Sequence, residues 1–197
     1  MTTITLVARA CHQAAVWHAD QRRKGERAEP YVNHLTEVAA LVAEATDGGD
    51  PNLIAAALLH DAIEDAGVSH AQIEAAFNRD VADLVAEVTD DKSLEKAERK
   101  RLQVEHAPAK SPRAKMIKLA DKTSNLRAIL ASPPAGWNVA RKREYLDWAG
   151  RVVAGARGTN ARLEAAYDEA AAALAGALDG VLDSALDGAR EGELPNE

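Results

Sequence analysis

An all-α fold is the expectation for this chain, and three observations lead to it. Hydrophobic residues fill 47% of the 197 positions, yet only 4% of the chain is aromatic and much of the remainder is alanine, the best helix former. Alternating β-branched residues of the kind that build strands are nearly absent. Apolar residues recur instead at intervals of three and four. The length suits one domain with a sizeable core and a terminal extension, placed at residues 1–160 and 161–197.

Composition also excludes several classes of function. The single cysteine, Cys11, rules out an internal disulfide framework and reads as a buried, inert thiol. The N-terminus lacks a basic region followed by an apolar segment, and no apolar run reaches spanning length. A soluble cytoplasmic protein with no membrane partner is therefore expected. A formal net charge of −7 argues against general nucleic-acid binding, so a polyanionic ligand would need a local basic patch.

Residues 3–19 read as an amphipathic helix with Val7, Ala10, Ala14 and Trp17 inward. His12 and His18 flank it and read as surface or hydrogen-bonded histidines. Asp20 to Arg27 then carry four positive and two negative charges, and Gly25 and Pro30 make this stretch a loop. Such a loop is either simply solvated or a grip for phosphates through Arg22, Arg23 and Lys24. A second helix starts near Asn33, with His34, Val38, Leu41 and Val42 on one face. His34 is thus either a ligand or a hydrogen-bonded core histidine.

Asp50 supplies an N-cap and Pro51 the first helical position for the next helix, whose run Leu53 to Leu59 is apolar on every side and reads as buried. Gly67 closes this region. Ser69 to Gln72 has capping-box spacing and opens a short helix to Phe77, and residues 80–88 place Val81, Leu84, Val85 and Val88 on one face. The charged stretch Asp90 to Arg101 reads as a solvated, helix-supporting surface.

Ser111-Pro112 starts a helix to about Leu130 with a core stripe of Met116, Leu119, Thr123, Leu126 and Leu130. Off that stripe lie Lys118, Asp121, Lys122 and Asn125, for which surface lysine–aspartate pairing is the simplest reading on spacing alone. Pro133-Pro134 and Gly136 break the chain before a helix from Val139 to about Gly155, carrying Arg141, Tyr145 and Trp148. From Asn160 a long amphipathic helix spaces Leu163, Tyr167, Ala170, Leu174, Leu178 and Val181 by threes and fours and ends in a polar tail. Its seam either docks on the domain or meets a second subunit, which leaves a homo-oligomer open.

Chemistry-bearing residues concentrate at His60-Asp61-Ala62-Ile63-Glu64-Asp65. Glu64 follows His60 by four residues and Asp65 follows Asp61 by four, so both pairs share neighbouring stripes of one helical surface. An imidazole and three carboxylates at the end of a core helix are costly unless compensated. A divalent cation would compensate them, since neutral imidazole and carboxylate are both good ligands. The competing interpretation is an exposed helix end bearing a histidine and an acidic cluster.

Taken with His34 and Asp121, the order His…His-Asp…Asp across three helices resembles the HD superfamily of metal-dependent phosphohydrolases. Neighbouring words narrow the match. Gln21-Arg22-Arg23-Lys24, Pro30-Tyr31-Val32-Asn33-His34 and Ala56 to Asp65 stand in the family's order. Val88 to Lys92, Ile117 to Lys122, Asn125-Leu126-Arg127, Gly136-Trp137 and Tyr145 to Trp148 follow. Over roughly residues 5–165 the chain is similar to a stand-alone alarmone hydrolase, like the hydrolase domain of RelA/SpoT proteins and most like the metazoan SpoT homologue group.

The resemblance implies an HD-domain helical bundle over residues 1–160, and manganese-dependent release of pyrophosphate from the 3′ position of guanosine tetra- or pentaphosphate. It also implies His34, His60, Asp61 and Asp121 as ligands of one Mn²⁺, with Glu64 and Asp65 handling the nucleophilic water. Arg23 and Lys24 would face the pyrophosphate, Asn125 the nucleotide, and Arg141 and Tyr145 further parts of a guanine-nucleotide substrate. Lys118 and Lys122 would offset the repulsion between an acidic protein and an anionic substrate. Two imidazoles and two carboxylates make a mixed site suited to Mn²⁺. The length leaves no room for a synthetase domain, so hydrolysis alone is expected.

Several residues depart from the family's pattern: Leu35, Ala66, Asn78, Ser124 and Ala128, the last two at positions that bear on base recognition. Competing functions are another HD phosphohydrolase activity, such as removal of the NADPH 2′-phosphate or action on deoxynucleotides, and a non-catalytic nucleotide sensor.

Overall fold

A computed structural model describes residues 2–191, with side chains up to residue 181. The predicted polar tail from residue 192 lies outside the described residues. The helices run in the order α1 (Thr3–Trp17), α2 (Val32–Ala45), α3 (Pro51–Leu59), α4 (Ala62–Ala66), α5 (His70–Ala76), α6 (Arg79–Val88), α7 (Lys96–His106), α8 (Pro112–Ala131), α9 (Val139–Ala154) and α10 (Ala161–Glu191). A 3₁₀ turn spans Ala107–Ala109 between α7 and α8. The described residues contain no β-strand beyond two isolated bridges, and no helix among them is long and apolar enough to cross a membrane.

Two helices form the axis of the fold. Helix α3 starts where capping chemistry places it: Asp50 accepts a hydrogen bond from the Leu53 amide at 3.0 Å, and Pro51 occupies the first turn. Every residue from Leu53 to Leu59 is buried, with α1, α2 and α6 packed around the helix. Each large side chain buried there is worth about 1.5–3 kcal/mol. Helix α8 is the second axis, flanked by α2, α6, α9 and α10. Its N-terminus is capped by Ser111, which accepts from the Ala114 amide.

The shorter helices are also set by their caps. Ser69 and Gln72 form the predicted capping box on α5, Asn78 caps α6, and Asn138 caps α9. Helix α10 joins the same core through Leu163, Tyr167, Ala170, Leu174 and Leu178, whereas Val181 is exposed.

Three local expectations change. The helix expected to run from Pro51 to Gly67 breaks at His60-Asp61, where Asp61 has φ −99° and ψ 1°. That sparsely populated backbone region is common at active sites, and the Asp65 amide still donates to the Asp61 carbonyl at 2.7 Å. Leu130 is exposed rather than in the core stripe. Because α8 is packed on several sides, it buries Asp121, Lys122, Thr123 and Ser124 alongside Leu119 and Leu126. The charged stretch becomes regular helix only from Lys96, and α7 buries no residue at all.

Candidate active site

The break between α3 and α4 turns His60 and Asp61 toward His34 on α2 and Asp121 on α8. One ligand atom each from His34, His60 and Asp121 lie within 4.8 Å of one another. His34 Nε2 is 3.3 Å from Asp121 Oδ1 and 3.8 Å from Asp61 Oδ2. His60 Nε2 is 3.1 Å from Asp61 Oδ2 and 3.9 Å from Asp121 Oδ1. Three of the four expected ligand residues therefore converge, and Asp61 flanks them against both histidines.

Hydrogen bonding assigns the imidazole protons. His60 Nδ1 lies 2.8 Å from the Ala57 carbonyl, which can only accept, so Nδ1 carries a proton and Nε2 is the ring atom turned to the centre. That Nε2 atom is buried and forms no hydrogen bond, even with Asp61 nearby. Burial alone would push the His60 pKa down, but the Asp61 carboxylate outweighs it and lifts the value to about 9. Burial, reinforced by the charge of His60, holds His34 below its usual value. Burial opposes ionisation of Asp61 and Asp121 too. His60 nevertheless holds Asp61 well below the usual carboxylate range, and Lys122 does the same for Asp121. Acceptors this close demand positive charge among them, and a divalent cation with nitrogen and oxygen ligands fits the donor set.

Further side chains hold the carboxylates in place. The Tyr31 hydroxyl donates to Asp61 Oδ2 at 2.6 Å, and burial together with Asp61 keeps that hydroxyl protonated well above the ordinary tyrosine range. Lys122 Nζ donates to Asp121 Oδ2 at 2.8 Å and sits 4.6 Å above the Trp148 ring. Asn125 Nδ2 donates to Asp121 Oδ1 at 2.6 Å, while its Oδ1 accepts from Arg23 at 3.1 Å. His18, buried at the edge, stacks on Tyr31 with ring centroids 5.5 Å apart.

The second acidic pair projects from α4. Burial and the nearby Asp90 and Asp61 carboxylates raise the Glu64 pKa. Glu64 accepts from the Asp90 amide and from Arg99, each at 3.4 Å. Asp65 accepts from Gln21 Nε2 at 2.9 Å and from Lys92.

Beside this acidic centre opens a cleft of about 280 Å³. Its cationic lining comprises Arg22, Arg23 and Lys24 from the loop before α2, Lys96 and Lys100 from α7, and Arg141 from α9. Tyr31, Asp65 and Asn125 border both cleft and acidic centre. The Trp137 ring carries Arg141 5.2 Å above it and lies 5.8 Å from Tyr145. Burial pushes the Tyr145 hydroxyl up to about 12, so it stays a neutral donor. Burial, then the charges of Arg141, Lys96 and Lys122, bring Lys100 down to about 8.

The basic loop is sewn down rather than loose. The Arg23 amide donates to the Glu29 carbonyl at 2.9 Å and the Tyr31 amide to the Gln21 carbonyl at 3.0 Å, closing a short antiparallel ribbon. Its tip is tied to the end of α8: the Glu26 amide donates to the Pro133 carbonyl at 3.2 Å and the Arg27 amide to Ser132 Oγ at 3.1 Å. Gly25 permits the approach, since a Cβ there would stand 2.3 Å from the Ser132 carbonyl oxygen. Ala28 turns the chain at φ +46°, a conformation alanine rarely adopts.

Of the residues expected to face substrate, Arg23, Lys24, Asn125, Arg141 and Tyr145 line the cleft. Lys122 instead turns toward Asp121. Lys118 lines a separate small cavity with Gln103 and Lys110, 3.9 Å from Asp90. Sequence reasoning passed over Lys96 and Lys100 in the cleft wall, Arg99 at Glu64, and Tyr31 at Asp61. Tyr31 had a signal in its place three residues before His34; the α7 cations had none beyond their charge.

A helical bundle that gathers His34 from α2, His60-Asp61 from the α3–α4 break and Asp121 from α8 has the architecture of an HD domain, and the HD domain family model matches residues 10–148. The chain belongs to the HD domain family. It is 50% identical over 156 residues to the guanosine-3′,5′-bis(diphosphate) 3′-pyrophosphohydrolase MESH1 of Drosophila melanogaster, covering 79% of this chain and 87% of that one. The Homo sapiens MESH1 is 48% identical over 153 residues, covering 78% and 86%. A solved metazoan ortholog of SpoT, described as hydrolysing ppGpp, superposes with a TM-score of 0.80 at 47% identity, covering 84% of this chain and 93% of that one.

Proposed function

We infer that this chain is a guanosine-3′,5′-bis(diphosphate) 3′-pyrophosphohydrolase, which splits the tetraphosphate into GDP and pyrophosphate and treats the pentaphosphate alike. The observation that carries this reading is the continuity, through Tyr31 and Asn125, between a His–Asp ligand set and a cation-walled cleft. The likeness to MESH1 across most of both chains supports it.

In this reading His34, His60, Asp61 and Asp121 hold one divalent ion, taken to be Mn²⁺, which when bound acidifies water and neutralises phosphate charge. Arg23 and Lys24 hold the 3′-diphosphate, with Arg23 braced by Asn125. Lys96, Lys100 and Arg141 suit the second diphosphate, and Trp137 and Tyr145 offer flat and neutral hydrogen-bonding surface beside it. Glu64, whose pKa is raised by burial and by the neighbouring Asp90 and Asp61 carboxylates, takes a proton from the attacking water. Asp65, steered by Gln21 and Lys92, orients that water. The bond between the ribose 3′ oxygen and phosphorus breaks, the water oxygen ends on phosphorus, and a proton returns to the 3′ oxygen. Lys122 and Tyr31 hold the two aspartates, and Lys118 contributes through its charge.

The test is to incubate the purified protein with Mn²⁺ and guanosine tetraphosphate and identify the products. Stoichiometric GDP and pyrophosphate are expected, with none formed in chelator. Orthophosphate from NADPH, or turnover of deoxynucleotides, with no pyrophosphate from the tetraphosphate would overturn the substrate assignment.

A further inference from the structure

We propose that Ser124 and Glu37 are a positioning pair that fixes His34 in the tautomer a metal ligand needs. The inference rests on the reading above in one respect, that His34 binds the ion. Ser124 and Glu37 reach His34 from two helices: Glu37 lies one turn after His34 on α2, and Ser124 lies three residues after Asp121 on α8. The Ser124 Oγ is 2.8 Å from His34 Nδ1 and donates to Glu37 Oε2 at 2.6 Å. Ser124 is 1% exposed, so water does not compete for its hydroxyl.

A serine hydroxyl alone is ambivalent, because it can accept from an imidazole N–H or rotate and donate to a bare ring nitrogen. Glu37 removes that freedom. As a carboxylate it only accepts, so the one hydroxyl proton of Ser124 points to Glu37 and its lone pair faces His34. His34 Nδ1 must then carry the ring's single proton. Nε2 is left with its lone pair directed to the centre, 3.3 Å from Asp121 Oδ1. Arg127 completes the chain by donating to Glu37 Oε1 at 3.2 Å. Without Glu37 the hydroxyl can turn round, and a ring with its proton on Nε2 cannot bind a cation there.

The experiment uses the full chain and the variants Ser124→Ala and Glu37→Ala, with three readouts. In metal-free protein, long-range ¹H–¹⁵N spectra of labelled histidines report the His34 tautomer directly. A single Nδ1–H form is expected in the parent and a mixture in both variants. Calorimetric titration with Mn²⁺ alone should show affinity falling by about 10- to 100-fold in each variant. Turnover of guanosine tetraphosphate should return to within a few-fold of the parent at saturating Mn²⁺. Parent-like tautomer and affinity in both variants would overturn the pair while leaving the metal site standing. Failure of both variants to fold would assign a structural role and overturn it as well. A parent protein that binds no Mn²⁺ would sink the ligand assignment and the pair together.

Discussion

Replacing Gly25 by alanine tests whether the basic loop must sit where it does. The new Cβ would stand 2.3 Å from the Ser132 carbonyl oxygen, 2.5 Å from Ser132 Oγ and 3.1 Å from Ser132 Cβ. A carbon normally approaches a carbonyl oxygen to no closer than about 3.3 Å, so the loop must retreat by about 1 Å. The obstacle is backbone at the end of α8 and has little room to yield. Retreat strains the amide bonds from Glu26 to the Pro133 carbonyl and from Arg27 to Ser132 Oγ. Each is worth about 0.5–1.5 kcal/mol, so peeling the tip away costs about 1–3 kcal/mol of stability.

The larger effect falls on chemistry, because Arg23 and Lys24 move with the loop. A misplacement of about 1 Å in a positioned group costs on the order of a hundredfold in rate. The ligand set comes from other segments, so metal content should not change. Urea unfolding, kcat/KM for guanosine tetraphosphate and Mn²⁺ content, measured on Gly25→Ala beside the parent, decide the matter. A variant with kcat/KM within about threefold of the parent would refute the reasoning, since the threshold is far below the effect expected of such a displacement.

Glu64→Gln should keep Mn²⁺ and fold normally while losing about a hundredfold or more in kcat, because the amide cannot take the water's proton; near-normal turnover removes Glu64 from the mechanism. Lys100 loses its proton as pH rises through about 8, so kcat/KM should fall on that limb, and Lys100→Arg, which stays charged, should abolish the fall. The effect on stability has the opposite sign. Between about 8 in the folded protein and the ordinary lysine value of about 10.4, the unfolded chain binds more protons, so stability should rise with pH across that window. A pH–rate profile and urea midpoints on both proteins check the pair of signs, and an alkaline limb unchanged in the arginine variant removes Lys100 from phosphate binding.

What could be read from the sequence depended on whether a residue's role was written in its spacing. Asp50-Pro51 and Ser69…Gln72 announce helix starts because capping is local chemistry, and both form as expected. His60 and Asp61 stood out because polar residues at the end of an apolar helix need a reason, whereas His34 and Asp121 were singled out only through the resemblance, since spacing alone left one ambiguous and read the other as a surface pair. The break at His60-Asp61 could not be found, since the amide of Asp65 still reaches the Asp61 carbonyl and the four-residue spacing survives the change. Helix α7 has no buried residue and hence no apolar stripe to orient it, so nothing local distinguishes Lys96 and Lys100 in the cleft from cations in solvent. Lys122 was obscured for the opposite reason: α8 is enclosed on several sides, and a lysine there can turn inward to Asp121. Ser124 stood out only as a departure from a pattern, because its partner Glu37 lies 87 residues away along the chain.

The two histidines at the centre differ in what restrains them. His60 is oriented by a main-chain carbonyl, that of Ala57, inside the most enclosed helix of the fold. Substitution cannot delete a carbonyl, so that restraint persists through change at every side chain around it. His34 is oriented by Ser124, Glu37 and Arg127, and each of these can be exchanged singly. One of the two histidines is thus held by a restraint that side-chain change cannot remove, while the restraint on the other can be graded. Adjustment of metal affinity, whether by drift or by design, has its accessible route through the α2–α8 side, where a single substitution can shift the ion's hold without opening the core.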